Sequence, residues 1–376
     1  MKKLNFIAVF LIFALFLTAC TPTAQSPGQF IDEAATRFGG QVSGMSIKVF
    51  TNDEILFENS YGYANEAEGL VVDHDTVFKW GSITKSLVWI SILQLAEQGK
   101  LDLHTDIRAY LPDDVLSDLK YPTTVYHLMT HSSGWVEQDL IVMVFGNEIV
   151  LDPLTAEIDT PADSIERFLR DTEISQRFQP GSYRGEYSHY GVIVASYIVE
   201  QVSGMTFYEY VHNYIFARLN MEHAAILLDA SDNVWVAKAL ERQNCYVTAD
   251  RSIEAMCRTI PLASAYMIAG VVSTMADFHR FALALLPDNY GGSALFEHNE
   301  TLEKLHSILD YEISGYTDSA NGIIALNGQM CHTVTMLIDT QRNIGVIVMT
   351  NQEAEVFFNR VTFLREVIER FTEGEY

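Results

Sequence analysis

The stretch from Ser82 to Gln98 constrains this chain more than any other. After Lys85 it reads Ser86-Leu87-Val88-Trp89-Ile90-Ser91-Ile92-Leu93-Gln94-Leu95-Ala96, and Gly99 and Lys100 close it. Only Ser86, Ser91 and Gln94 interrupt this strongly apolar helix, and a helix of such composition has to be covered. The fold therefore has to bury a whole helix. The chain has 376 residues, enough for one large two-lobed domain or two ordinary ones. Lys85 lies three residues after Ser82. Residues at that spacing share a helix face, so an ammonium lies over a hydroxyl where the buried helix starts.

The rest of the chain divides into strand patterns at both ends and helical patterns between them. Met45 to Phe57 alternates around Thr51-Asn52-Asp53 as a hairpin would. Helical periodicity marks Pro161 to Asp171, Tyr190 to Val202 before Gly204, Phe207 to Leu219, and Met275 to Leu286. Thr333 to Ile338 and Ile344 to Thr350 read as strands around a turn at Thr340-Gln341-Arg342-Asn343, and a last helix runs from about Glu355 to Phe371. This order predicts an α+β fold. An antiparallel sheet built from the N- and C-terminal segments is flanked by helices and carries an inserted, mostly helical lobe, with the active site between them. The sheet lobe is expected at about 35–100 and 262–376, and the helical lobe at about 101–261.

The N-terminus points to export. Lys2 and Lys3 precede an apolar run from Phe6 to Leu17, shorter than the roughly 20 residues a membrane-crossing helix needs. A charged start followed by a short apolar core reads as a secretory signal. It ends in Leu17-Thr18-Ala19-Cys20, which resembles the lipobox of bacterial lipoproteins. That resemblance implies a signal peptide at 1–19, a lipid on Cys20, and a place in the bacterial cell envelope, outside the cytoplasm and anchored to a membrane. Thr21 to Gln29 holds Pro22, Pro27 and Gly28 and reads as flexible, so a tether is expected over 20–34 and the folded domain over 35–376. A formal net charge of −25 disfavours nucleic acid and anionic headgroups as partners. The hold on the membrane should come from acyl chains. Besides Cys20 there are Cys245, Cys257 and Cys331, without a Cys-x-x-Cys pair or a His-Glu-x-x-His. No metal or other cofactor is expected, and the protein should act as a monomer. Cys245 and Cys257 suit either a disulfide or two buried thiols.

Chemistry centres on Gly81-Ser82-Ile83-Thr84-Lys85-Ser86. A free serine is a weak nucleophile and needs a base beside it. A lysine serves if burial and nearby positive charge lower its pKa, and Leu87, Val88, Trp89 and Ile90 supply that burial. The helix start adds a backbone N–H, half of an oxyanion hole. Ser117-Asp118-Leu119-Lys120 repeats the spacing, but it follows Pro112-Asp113-Asp114 with no apolar helix behind it and reads as a solvated loop.

Seven segments in order, over nearly the whole chain, resemble class C β-lactamases and their esterase and carboxypeptidase relatives. They are Thr76 to Lys85; Gly99 to Leu103 with Tyr110-Leu111-Pro112; His127 to Gly134; Pro180-Gly181 with Tyr187-Ser188-His189-Tyr190-Gly191; Ile215 to Met221; Gly270 to Phe281; and Ile344 to Asn351. The resemblance implies a β-lactamase-like fold and an acyl-enzyme mechanism on a small-molecule or peptide substrate. Ser82 would be the nucleophile, and Lys85 and Tyr187 would carry the proton. Tyr63-Ala64-Asn65 has similar spelling but lies in the early hairpin. The chain departs from the pattern twice. His189 stands where the family has asparagine. The family's Lys-Thr-Gly or His-x-Gly also has no counterpart in Asn321 to Gly328, where the basic slot falls near Ile323 and the glycine slot near Ala325. His332-Thr333-Val334 is nearest in spelling but sits too close to the strand ending at Asp339. His189, Ala325 and Leu326 are the expected substrate-binding residues. Two functions fit. One is a membrane-anchored serine hydrolase acting on esters, amides or β-lactam-like substrates near peptidoglycan. The other is a non-catalytic binding protein that has lost the third motif.

Overall fold

The computed structural model describes residues 26–38, 43–136, 165–166, 168–170, 174–182, 187–226, 233–243, 266–286, 294–311, 317–330, 332–352 and 360–373. The signal segment, Cys20, Cys245, Cys257, Cys331 and part of the helix expected at Pro161 to Asp171 lie outside these residues.

A six-stranded antiparallel sheet joins the two ends of the domain. Its N-terminal strands are β1 (Gly44–Phe50), β2 (Ile55–Asn65) and β3 (Leu70–Val71). Its C-terminal strands are β9 (Ile323–Met330), β10 (His332–Asp339) and β11 (Ile344–Thr350). They run in the order β3-β2-β1-β11-β10-β9, so the sheet closes where β1 meets β11, in register from Met45↔Thr350 to Phe50↔Gly345. The inner strands β1, β10 and β11 are buried at every position. Both faces of the sheet are therefore covered, which explains their apolar composition.

One face is covered by α1 (Pro27–Phe38) and α10 (Arg360–Glu373). Ile31, Ala35, Ile47, Val49, Leu337 and Leu364 form the core between them. The tether expected over 20–34 is thus corrected from residue 27 onward. Ile31, Ala34 and Ala35 recur at helical spacing and are buried, so this segment is an amphipathic helix docked on the sheet rather than a linker.

The other face receives α2 (Lys85–Glu97), entered through a 3-10 turn at Gly81–Thr84 and buried from Lys85 to Leu95. Around α2 stand α3 (Val125–Met129), α4 (His189–Ser203), α5 (Phe207–Val211), α7 (Tyr266–Ala269) and α9 (Asn299–Leu309). At the far end of α2, the Glu97 carboxylate accepts the N–H groups of Glu297 and His298 at 2.9 Å and the Thr301 hydroxyl at 2.7 Å, which pins α2 to the start of α9.

The middle of the chain is less purely helical than its periodicity suggests. β7 (Ala224–Ile226) joins β4 (Val77–Lys79) and β8 (Val271–Thr274) in a small sheet. This sheet packs on α6 (Val234–Arg242) through Ala225, Val236 and Val272 and continues into α8 (Met275–Leu283). β5 (Trp135–Val136) and β6 (Ser175–Gln176) form a short ribbon. The helix expected over Phe207 to Leu219 widens after α5 into a π turn at His212–Phe216, where the Ala217 N–H reaches the His212 carbonyl.

Glu200, buried near the end of α4, accepts the Phe207 N–H at 2.9 Å and so ties α4 to α5. Burial pushes its carboxyl up to about 7. The Phe207 hydrogen bond opposes this only in part, and Glu209 adds to the rise. The folded chain then keeps this proton to a higher pH than the unfolded chain does. Stability should fall as pH rises from the ordinary carboxylate range through 7, by up to about 3 kcal/mol. Urea unfolding of the wild type and Glu200→Gln between pH 5 and 8 should show the wild type losing stability relative to the variant. Parallel profiles would show that Glu200 does not titrate across this range.

Candidate active site

Ser82 lies in the 3-10 turn between β4 and α2. A 3-10 turn has three residues per turn, so side chains three apart eclipse. That geometry sets Lys85 over Ser82. Lys85 Nζ donates to Ser82 Oγ at 3.0 Å and to the Ile268 carbonyl of α7 at 2.8 Å. Lys85 is fully buried, whereas Ser82 is only half-buried, so the amine is anchored while the hydroxyl remains accessible.

Tyr187 sits just before α4. Ser188 caps that helix by accepting the Gly191 N–H. Lys85 Nζ lies 4.9 Å from the Tyr187 ring centroid. The His131 ring lies at 4.6 Å and the His189 ring, edge-on, at 5.1 Å. The structure therefore brings Ser82, Lys85, Tyr187 and His189 together. Burial first, and the nearby Lys85 second, push His189 down to about 3, so it is a neutral imidazole at physiological pH. The competing copies fall elsewhere. Ser117 and Lys120 are exposed in turns, and Tyr63 is exposed on β2 opposite Val71.

The third motif is corrected. β9 is the edge strand beside the Ser82 turn, and its side chains alternate. Ile324 and Leu326 join the core on the α2 side, while Ile323 and Ala325 join the core under α1 and α10. The slots expected at Ile323 and Ala325 are therefore on the wrong face. Ala325 is also removed from the substrate-binding set because its N–H donates to Thr317 Oγ1 at 3.0 Å and its carbonyl accepts that hydroxyl at 2.8 Å. The glycine that the site requires is Gly328. A Cβ there would stand 1.8 Å from the Trp80 carbonyl oxygen and 3.0 Å from the Ile83 nitrogen. Two residues earlier, on the α2 side, is Leu326, so an aliphatic side chain takes the basic position. His332 does not replace it. Its Nδ1 accepts the Lys79 N–H at 3.1 Å, and burial, then Lys79, push it down to about 3.

The same strand offers a group that the sequence reading did not name. Ala325 turns its N–H and C=O off the sheet edge, toward Thr317, and an antiparallel ladder repeats this orientation every second residue. Gln329, four residues on, therefore turns its N–H off the edge as well. At Gly81, φ is +54°, and a Cβ would lie 2.5 Å from the Gln329 nitrogen. With the N–H of Ser82 it forms a candidate pair of oxyanion donors. The signal in the sequence was Gly328 inside Ile-Ile-Ala-Leu-Asn-Gly-Gln-Met.

A family model described as Beta-lactamase matches residues 30–367. The chain is 31% identical to the Bacillus subtilis protein PbpX over 181 residues, which is 47% of this chain and 39% of PbpX. It is 35% identical to Esterase EstB of Burkholderia gladioli over 89 residues, 23% of each chain. The matches thus span well under two thirds of these curated relatives. The fold is similar to that of a Beta-Lactamase/D-Alanine Carboxypeptidase from Pseudomonas syringae, with TM-score 0.65, 16% identity, and coverage of 93% of this chain and 99% of that one.

Gly328→Ala should force β9 away from the Ser82 turn. We expect a stability loss of about 1–3 kcal/mol and at least a tenfold drop in the rate at which a fluorophosphonate labels Ser82. Thermal unfolding and intact mass measure the two effects. An unchanged labelling rate would show that the contact between Gly328 and Trp80 does not shape the site.

Proposed function

This chain belongs to the Beta-lactamase family, and on that premise we propose that it is an extracytoplasmic serine hydrolase that forms an acyl-enzyme on Ser82. The observation that carries this reading is the 3.0 Å contact between the buried Lys85 amine and the accessible Ser82 hydroxyl. Ser82 Oγ attacks the carbonyl carbon, and its proton passes to Lys85 or to Tyr187. The tetrahedral oxyanion is held by the N–H groups of Ser82 and Gln329. Collapse breaks the bond to the leaving group, which takes up the proton. Water then attacks the acyl-enzyme by the reverse route.

The substrate class follows from Leu326. In the family's pattern a cation at this position meets the carboxylate of penicillins and D-alanyl peptides. A charge-assisted contact is worth roughly 1.5–3 kcal/mol, or about one to two powers of ten in rate. Neutral esters lose nothing by its absence. The stretch shared with the esterase EstB supports the same class. The second reading, a non-catalytic binding protein, is favoured by Leu326 and His189 and is decided by the same experiment.

We further place the protein on a membrane through a lipid on Cys20, a reading supported by the apolar run and by Leu17-Thr18-Ala19-Cys20. Among the described residues no helix is long and apolar enough to cross a membrane. Because α1 starts at Pro27, the link from Cys20 would be short, about 20 Å when fully extended. The domain would therefore work close to the bilayer.

Two predictions follow from this assignment. A fluorophosphonate adduct should map to Ser82 and vanish in Ser82→Ala. Activated neutral esters should turn over while penicillins react slowly, and Leu326→Lys should improve carboxylated substrates about tenfold more than neutral ones. No label on Ser82 and no ester turnover would establish the binding protein instead. Separately, Cys20→Ala should release the protein from the membrane fraction or block its processing; a variant that stays membrane-bound at mature size would refute the anchor.

A further inference from the structure

His131 touches both the nucleophile helix and the segment carrying Tyr187. It follows α3 in the left-handed region, with φ +49°, and it is buried. Toward α2 it packs edge-on against Trp89, with centroids 5.9 Å apart and planes at 71°. Toward α4 its Nδ1 accepts the Ser188 N–H at 3.1 Å, and its ring lies 4.6 Å from Tyr187. Trp89 and Lys85 are on the same buried helix. His131 is therefore a physical strut from the helix that carries the amine to the residue next to the phenol.

The need for such a strut is visible in the chain path. Tyr187 lies outside α4, and Ser188 uses its side chain to cap that helix. The backbone N–H of Ser188 is buried and needs an acceptor, and His131 supplies it. Since Nδ1 accepts, the ring's proton belongs on Nε2, an assignment made from the hydrogen bond. Two contacts on one imidazole thus help to hold Tyr187 relative to Lys85.

We propose that His131 is a positioning residue that sets Tyr187 against the Lys85 amine, acting through its Nδ1 acceptor. This inference rests on the reading of Tyr187 as a proton carrier. It makes a specific demand on substitutions. Asparagine keeps an acceptor near the Nδ1 position and tolerates a positive φ. Phenylalanine keeps a ring but removes the acceptor.

The test is the second-order rate of Ser82 labelling by a fluorophosphonate, read by intact mass, in the full chain and in a Tyr187→Phe background. His131→Phe should slow labelling at least tenfold, and His131→Asn should stay within about threefold of the wild type. In the Tyr187→Phe background, His131→Phe should change the rate less than twofold, because the group it positions is already gone. If His131→Phe does not fold by thermal unfolding, His131→Gln, which moves the polar group away from Ser188, takes its place with the same expectation. An equal slowing in both backgrounds would mean that His131 only supports the fold. An unchanged rate in the wild-type background would mean that it positions nothing. Either result overturns the proposal while leaving the hydrolase standing. Absence of any label on the wild-type protein would overturn the hydrolase reading itself, and this proposal with it.

Discussion

The structure depends on keeping one lysine amine inside the protein. Lys85 is fully buried on a helix that is itself buried on every side. A buried amine is tolerated only with hydrogen-bonding partners, because an unsatisfied polar group inside a protein is costly. Ser82 Oγ and the Ile268 carbonyl supply two such partners. Ile268 comes from α7, immediately before β8, so distant parts of the chain must assemble before the lysine is solvated by protein. The site and the core are in this sense one structure.

A second constraint is the close approach of two backbones. β9 passes the Ser82 turn with no room for a side chain at Gly328 or, from the opposite side, at Gly81. That approach brings the Gln329 nitrogen beside the Ser82 turn. Further along the same edge, Thr317 occupies the N–H and C=O of Ala325. An unpaired strand edge is ordinarily open to any partner; here its upstream part is blocked and its downstream part faces the candidate site.

At the candidate site a neutral imidazole, His189, stands near the Lys85 amine. His189 and His332 are both held well below the ordinary histidine range by burial. With Leu326 at the basic position, that position adds no positive charge to the Lys85 amine. A site built in this way supports the proposed preference for substrates without a carboxylate, and the acidic balance of the whole chain acts in the same direction.

Residue pattern alone determined the parts of this protein whose physics is local. The strongly apolar helix, the three-residue spacing of Ser82 and Lys85, and the apolar strands near the C-terminus all depend on neighbours in sequence, and the structure has each of them where the pattern puts it. The α+β arrangement, with a sheet made from both ends, was legible for the same reason. Tertiary structure decided the rest. The residues from Pro27 resemble a linker by Pro27 and Gly28, yet Ile31, Ala34 and Ala35 become the buried side of a docked helix once a sheet face is available. The third motif was placed three residues early. In a strand, side chains alternate with a period of two, so an odd slip transfers every assignment to the opposite face. Only the approach of Gly328 to Trp80 fixes the register. The strut formed by His131 was invisible in sequence because Trp89, His131 and Ser188 come from three separate segments, and only packing brings them together.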